Sequence, residues 1–490
     1  VSLNRQRILE AMATLGTANP GDPRVFLAPR SLKRILNPAT VVVLGARGSG
    51  KSELASHLTQ PLETPDDFQR FLTDKPYPMH CFDAFSQRGT DHPEAILLDD
   101  FVHYSNDESL RSFWIATTFK QFSKFFSRIA PEADGLFHGI FVNTELHRSD
   151  PRGIFHEAHP SLYLNALDSF EKNLSEELDR NSIPLLYGYP LLAVYDDLDT
   201  VGAFDFELRR RFIRALLVLW TTLSTRYKHL RAKIFLPSDL FDLRLFDMPD
   251  ASKLMARAER LEWDTSSLYR LVLRHLGAQG EEIRAWLGTF GLRFQEEGES
   301  GWLPEEPSEE SLKLWLTETL RAVVAVKGTR SAVSQWIPNR LRDGKDQVAP
   351  RSMLGFFRES ARIALSRPPR ASWGRLLSVE DAVGALSRVG EFRVSEIREV
   401  YPWVDRMEAL RGRVLPLSRE QVEALLERDP PRPVRVTDPR EGHLVAADLV
   451  RLGLLRELEG GDRLDVPDLF VSTFGILRSA EAPPSQAAAP

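Results

Sequence analysis

The sequence predicts an α/β core, a parallel sheet flanked by helices, followed by a helical lid and a C-terminal winged-helix-like region. Three observations predict it. The apolar runs VVVLG (41–45), YPLLAVYDDLD (189–199) and AKIFLP (232–237) are near-continuous, as in strands buried on both faces. Helical patterns separate them, and strand–helix alternation is the signature of a parallel sheet. Past about residue 266 the strand signals fade and helical spacing takes over.

At 490 residues the chain exceeds one comfortable core, so two to four units are expected. Residues 1–39 read as a helical, loop-rich lead-in and 40–265 as the core. The text of 60–188 is mixed and aromatic-rich, with MHCFDAF and GLFHGIFVN as strand candidates and SLRSFWIATTFKQFSKFFSRIA as a helix. FELRRRFIRALLVLWTTLSTRY then predicts a long helix before AKIFLP. In the lid, 266–370, LYRLVLRHLGAQGEEIRAWLGTF has helical spacing, QEEGESGWLPEEPSEES reads as an acidic loop, and helices are expected at 311–326 and 351–365. Within 371–480, EDAVGALSRVG, REQVEALLERD and VAADLVRLGLL read as helices. RELEGGDRLDV then reads as two short strands turned at Gly460–Gly461, and helices followed by such a hairpin predict a winged helix. The tail 481–490 reads as disordered.

Composition narrows the function classes. The 63 basic and 69 acidic side chains leave a net charge of −6, which argues against wholesale coating of nucleic acid. One cysteine, Cys81, excludes an internal disulfide framework and a thiolate metal cluster within one chain. The start, VSLNRQRILEAMATLG, reads as a short amphipathic helix without the apolar core of a signal peptide. Ala215–Trp220, the most apolar helical stretch, is far shorter than a bilayer requires. No membrane span and a cytoplasmic location are expected.

The chemistry concentrates at Gly45-Ala-Arg47-Gly48-Ser49-Gly50-Lys51-Ser52, which satisfies G-x-x-x-x-G-K-[ST] between an apolar run and a helix. Glycines let the backbone curl until successive N–H groups converge on one anion, at the positive end of a helix. Lys51 would reach the β and γ phosphates of ATP, and the Ser52 hydroxyl would hold Mg²⁺. Glu53 completes the candidate nucleotide-binding set. A chance match to this pattern in a chain of this length arises on the order of a few per cent of the time. LLAVYDDLD agrees with the loop, because it delivers carboxylates at a strand's carboxyl end, where ligands gather in such sheets. Asp196 is the better candidate for orienting Mg²⁺ and Asp197 for polarising the attacking water, with Asp199 an open alternative. The bland alternative is a helix start decorated with acids. Ser238 or Asp239, after the third strand, would lie near the γ-phosphate, although a helix N-cap is the commoner use of such residues.

These parts together resemble the AAA+ and STAND ATPases, including their KAP and origin-recognition-like branches. VLGARGSGKSEL resembles their Walker A motif, LLAVYDDLD the DDLD form of Walker B, and KIFLPSDLF the sensor-1 strand. VAPRSMLGFFRESA resembles the lid helix that carries the second sensor, with Arg351 at its arginine. The chain is similar above all to bacterial P-loop ATPases of defence-type gene neighbourhoods, and the resemblance covers about 40–370. It implies an ATP- and Mg²⁺-dependent hydrolase, with catalysis by Lys51, Asp197 and Arg351. A homo-oligomer or a separate effector protein is the implied partner, and anti-phage defence the implied setting. Two departures stand out. Between Lys51 and Asp196 lie 144 residues, so an insertion at about 60–188 is expected. Leu198 follows Asp197 where many relatives carry Glu, which implies slow hydrolysis. An arginine reaching a neighbouring subunit's phosphate would be Arg244 or Arg257.

Elsewhere the signals are weaker. Residues 327–375 hold eleven Lys or Arg against three acids. They read either as a nucleic-acid face or, in the favoured reading, as a lid whose arginines serve the nucleotide, the subunit contact and the acidic loop. Residues 378–480 hold fifteen Arg, no Lys and nineteen acids, not the basic footprint of a groove reader. His138, His147, His156 and His159 cluster, but HEAH lacks the i, i+4 spacing of a zinc helix and reads as loop. Two function classes follow: an ATP-driven switch that regulates a partner, and a DNA-dependent ATPase working through the basic stretch.

Overall fold

A computed structural model describes residues 5–59, 80–86, 107–129, 160–179, 191–201, 206–241, 251–320, 333–367, 376–427 and 441–478. The chain divides into two compact units. One comprises Ala28–Ala46 and Gly50–Glu262; the other comprises Val1–Leu27, Arg47–Ser49 and Trp263–Pro490. The first helix, α1 (Arg5–Ala13), belongs to the second of these. The strand candidate at 135–143, the four clustered histidines, Arg244 and the tail all lie outside the described residues.

The sheet unit opens with a single turn of helix, α2 (Leu32–Leu36), and the buried strand β1 (Val42–Gly45). Helix α3 (Lys51–Thr59), strand β2 (His80–Phe85), helices α4 (Asp107–Ile129) and α5 (Pro160–Asp179) and strand β3 (Leu191–Tyr195) follow. After them come α6 (Phe206–Arg226), β4 (Leu230–Pro237), α7 (Ala251–Met255) and β5 (Ala258–Arg260). The five strands form one parallel sheet, ordered β2-β3-β4-β1-β5, with helices packed against it. The predicted α/β core is therefore present. Strand β2 and helix α4 fall inside 60–188, so that stretch supplies part of the sheet and its packing as well as any added material.

Strand order decides where the chain changes direction. From β1 the chain crosses to the far edge at β2, then steps back through β3 to β4, beside β1 again. From β4 it crosses the other way, over β1, to β5. Right-handed crossovers send these two connections to opposite faces, so β1 and β4 flank the topological switch point. The register sets Gly45 beside Pro237 there. Helix α3 packs across β2, β3 and β4, while α4 and α6 pack on each other and on β2 and β4.

Aromatic burial and a few polar locks hold this unit. The fully buried Tyr195 hydroxyl meets Thr118 Oγ1 and accepts from Trp220 Nε1 at 2.9 Å, tying β3 to α4 and α6. Trp114 packs edge-on against Phe85 and Phe212 and donates its indole N–H to the Phe212 carbonyl. Glu171 of α5 accepts from the backbone N–H groups of Lys228, His229 and Leu230, capping the entry to β4. Lys233, in mid-strand and fully buried, donates to the carbonyls of Asn37 and Thr40 and so pins the turn before β1.

The second unit is mainly helical: α8 (Thr265–Gly277), α9 (Glu281–Gly288), α10 (Glu309–Leu320), α11 (Val333–Leu341), α12 (Pro350–Leu365) and α13 (Val379–Arg398). α12 and α13 pack along each other, α1 lies on α12, and Trp315 stacks on Phe357. A capping box, Ser378 with Asp381, starts α13. The acidic stretch expected to be a loop is instead partly ordered as an antiparallel hairpin of β6 (Phe294–Glu296) and β7 (Trp302–Pro304). Gly298 (φ 51°) and Gly301 (φ 78°) make its turn, and Arg284 covers the Trp302 ring at 4.3 Å.

The last hundred residues hold a 3₁₀ segment (Pro402–Leu410), β8 (Val414–Leu415), β9 (Leu417–Ser418), α14 (Arg419–Glu427) and α15 (Gly442–Arg451). β10 (Arg456–Leu458), β11 (Arg463–Asp465), α16 (Asp468–Val471) and β12 (Leu477–Arg478) complete them. β10, β11 and β9 form an antiparallel sheet in that order, with both helices inserted between β9 and β10. The expected turn at Gly460–Gly461 joins β10 to β11. Among the described residues no helix is long and apolar enough to cross a membrane.

Candidate functional site

The 45–52 loop leaves β1 at the switch point. Gly45 is the last residue of β1 and its carbonyl accepts from Ser238 N–H at 3.0 Å, so β4's carboxyl end touches the loop's first residue. Gly48 (φ 73°) and Gly50 (φ 94°) take the left-handed conformations that let the loop curl, and Lys51 begins α3. Lys51 is buried, its Nζ donating to the carbonyls of Gly45 (3.1 Å) and Ala46 (2.9 Å). An ammonium held over the loop's own oxygens sits where a phosphate oxygen would compete for it.

Ser52, the second residue of α3, turns its hydroxyl to Asp197 Oδ1 at 3.5 Å. Asp196 and Asp197 follow β3 directly; Asp196 is buried and its N–H donates to the Phe85 carbonyl. Asp197 stands at φ 54°, a conformation that costs a side-chain-bearing residue free energy and that clusters at functional sites. Thr200 fixes it there by donating both N–H and Oγ1 to its carbonyl. Thus Ser52 of the loop helix is brought to Asp197, the carboxylate expected to polarise water, and not to Asp196, the one expected to orient Mg²⁺. Asp239 is buried beyond β4, and Glu53 lies 3.3 Å from Nε2 of His57 one turn along α3.

Arg257 makes a different use of its charge. Its guanidinium donates to Ser224 Oγ, and its carbonyl accepts from Val41 and Val42 N–H, fastening β5 to β1. As placed, it is a structural tie of the sheet.

In the helical unit, the loop tip Arg47–Ser49 meets Arg351, expected at the lid, together with Arg393 and Trp263, which sequence reasoning had not singled out. Arg393 Nη1 donates to the Arg47 carbonyl at 2.7 Å, Arg351 N–H to the Gly48 carbonyl at 3.2 Å, and Trp263 Nε1 to the Ser49 carbonyl at 2.9 Å. Arg351 is the second helical residue after Pro350, so its N–H has no acceptor within α12 and is available to the loop. Its guanidinium pairs with Glu396, which also pairs with Arg393 at 2.9 Å. Burial works to raise the Glu396 carboxyl, but the two arginines together hold it below the usual value. Tyr401, fully buried, lies 5.9 Å from the Arg47 guanidinium and 5.5 Å from that of Arg451. Arg393 and Glu396 stand three residues apart in the sequence, a spacing that any exposed helix pair shares.

Most of the described part of the basic stretch is neutralised internally. Arg340 covers Trp336 and lies 3.7 Å from Asp468; Arg358 and Arg362 bind Glu359; Arg367 binds Glu380 and Asp381. No family model matches the chain, and neither the curated proteins nor the solved structures yield a similar one.

Proposed function

We propose that the protein binds ATP with Mg²⁺ at the 45–52 loop and hydrolyses it as a switch acting on a partner. One observation carries this reading. The loop emerges at the switch point of a parallel sheet, and its Ser52 hydroxyl meets Asp197 from a strand that is not its neighbour. A glycine turn matching the pattern by chance has no reason to acquire that partner.

The residues present fit the ligands. The loop's left-handed glycines free its amides to converge, and the Ser49 hydroxyl is buried without a hydrogen-bond partner, a state that a bound oxygen would relieve. Among the described residues no group of three or more His, Cys, Asp or Glu is set to hold a metal. Mg²⁺ on a nucleotide needs none, because phosphate oxygens and water supply most of its ligands. Bound Mg²⁺ would neutralise charge developing on the phosphate oxygens. The chain's own part is to hold the β and γ phosphates with the loop amides and Lys51, and to present Ser52 with Asp196 and Asp197 on the metal side. Asp197 is also the carboxylate to orient the attacking water.

The helix-helix-hairpin arrangement of α14, α15, β10 and β11 is a winged helix in our reading. The exposed face of α15 offers His443, Leu444 and Ala447, groups suited to a protein contact and not to phosphates. With most of the described part of the basic stretch engaged in internal ion pairs, the switch is favoured over the DNA-dependent ATPase. An effector partner, self-assembly and a defence setting rest on resemblance alone.

Steady-state ATP hydrolysis with light scattering, on wild type and Lys51→Ala, with and without DNA and EDTA, tests the reading. Turnover that is Mg²⁺-dependent, lost in Lys51→Ala and indifferent to DNA is expected. Turnover seen only with DNA would replace the switch by the motor, and turnover unaffected by Lys51→Ala would end the nucleotide reading.

A further inference from the structure

Three successive peptide oxygens of the loop tip are each taken by a donor of the helical unit. The donors come from separate places: Arg393 in α13, Arg351 at the start of α12, and Trp263 just before α8. A trans peptide is planar, with its C=O and N–H pointing in opposite directions. Fixing the carbonyls of Arg47, Gly48 and Ser49 therefore directs the N–H groups of Gly48, Ser49 and Gly50 away from those donors. These are the amides that a phosphate cradle requires. Among the described residues the N–H groups of Gly48 and Gly50 have no acceptor.

Space at the tip is as constrained as its hydrogen bonding. A Cβ on Gly48 would come within 3.0 Å of Arg351 Cβ and 3.5 Å of Arg393 Nη1. The Arg393 side chain is itself buried, oriented by Glu396 on the same helix. A long, flexible cation gains fixed direction from such a neighbour, and Glu396 also engages Arg351, so one carboxylate steadies two of the three donors' residues.

We infer that Arg393 is a positioning residue of the phosphate loop: by holding the Arg47 carbonyl, with Trp263 holding that of Ser49, it presets the cradle amides and makes nucleotide affinity depend on where α13 sits. This rests on the nucleotide reading. Arg393 touches no phosphate in this role; its guanidinium acts through the peptide planes of the tip. Any event that draws α13 away releases those planes and lowers affinity, and bound nucleotide correspondingly favours the seated α13.

The test is the dissociation constant of a fluorescent adenine nucleotide with Mg²⁺, measured on the full chain well below its melting temperature. The variants are Lys51→Ala, Arg393→Ala, Arg393→Lys and Trp263→Phe. Arg398→Ala serves as a control on the same helix, since Arg398 pairs with Asp405 away from the loop. Losing a charge-assisted bond weakens binding about tenfold in Arg393→Ala, and less in Trp263→Phe, which loses a neutral one. Arg393→Lys, still a donor, recovers most of the loss, and Arg398→Ala matches wild type. Melting curves separate a merely structural arginine, whose loss lowers the melting temperature and leaves the dissociation constant unchanged. If Lys51→Ala abolishes binding while Arg393→Ala and Trp263→Phe stay within about twofold of wild type, the positioning role is overturned and the nucleotide reading stands. If wild type does not bind, or Lys51→Ala binds equally well, both fall together.

Discussion

Ser52 Oγ and Asp197 Oδ1 stand 3.5 Å apart although 145 positions separate them in the chain. The first is fixed by the start of α3, the second by a left-handed backbone turn after β3. Asp and Asn tolerate that turn better than other side-chain-bearing residues, because their short polar groups bond locally.

That backbone makes Asp197→Asn the cleaner probe of chemistry. It should keep the wild-type melting temperature and lose ATP turnover by about a hundredfold or more. Asp197→Ala should lose turnover as well and also cost about 1 kcal/mol of stability, because alanine fits the left-handed region poorly. Paired melting and turnover assays distinguish the two. Turnover retained in Asp197→Asn would remove Asp197 from catalysis.

Lys233 gives the sheet unit a pH dependence of definite sign. Burial pulls its ammonium down from 10.5 to about 7, with Cys81 working the other way. Between those values the unfolded chain holds a proton that the folded chain lacks, so stability rises with pH across this window. Urea midpoints at several pH values, compared with Lys233→Met, should show wild type gaining on the variant from neutral to alkaline pH. A constant difference would mean that the carbonyls of Asn37 and Thr40 keep the ammonium charged.

Glu359 anchors the helical unit through charge. It is almost fully buried on α12 and receives Arg358 at 3.0 Å and Arg362 and Arg388 at 3.2 Å each. Burial tends to raise its carboxyl, but the arginines outweigh burial and hold it below 4.5. Its contribution is therefore present above that value and lost as pH falls through the lower folded one. Glu359→Gln should destabilise the protein by about 1–2 kcal/mol at neutral pH, because the buried carboxylate loses its charge toward the mostly buried Arg358 and the half-exposed Arg362 and Arg388. The difference from wild type should shrink in acid, as thermal melts from pH 7 to 3 would record.

The strands that were legible share one physical trait. β1, β3 and β4 are almost wholly buried, so each is a continuous apolar run that no other element imitates at that length. β5 was not legible: Ala-Glu-Arg is polar, short and half-exposed, and pairing with Val42, Val43 and Leu44 alone makes it a strand. The β6–β7 hairpin was hidden by the acids and glycines of its turn, which outweighed Phe294 and Trp302. In the site, the loop and its carboxylates were legible because local spacing encodes them. Arg393 and Trp263 were not, because they act on residues 346 and 214 positions away, and nothing local marks an arginine or a tryptophan for such a contact.

The strand order has a consequence during synthesis. β1 takes both of its neighbours, Leu230–Pro237 and Ala258–Arg260, from chain made long after it. A ribosome that has delivered everything before Leu230 has exposed Val41–Leu44 with neither edge paired. Closing so wide a separation is slow, and an open apolar strand is what aggregation seeds on and chaperones grip. The 45–52 loop is thus among the last features of the sheet to mature, because β1, from which it emerges, gains its second neighbour only once β5 has been translated.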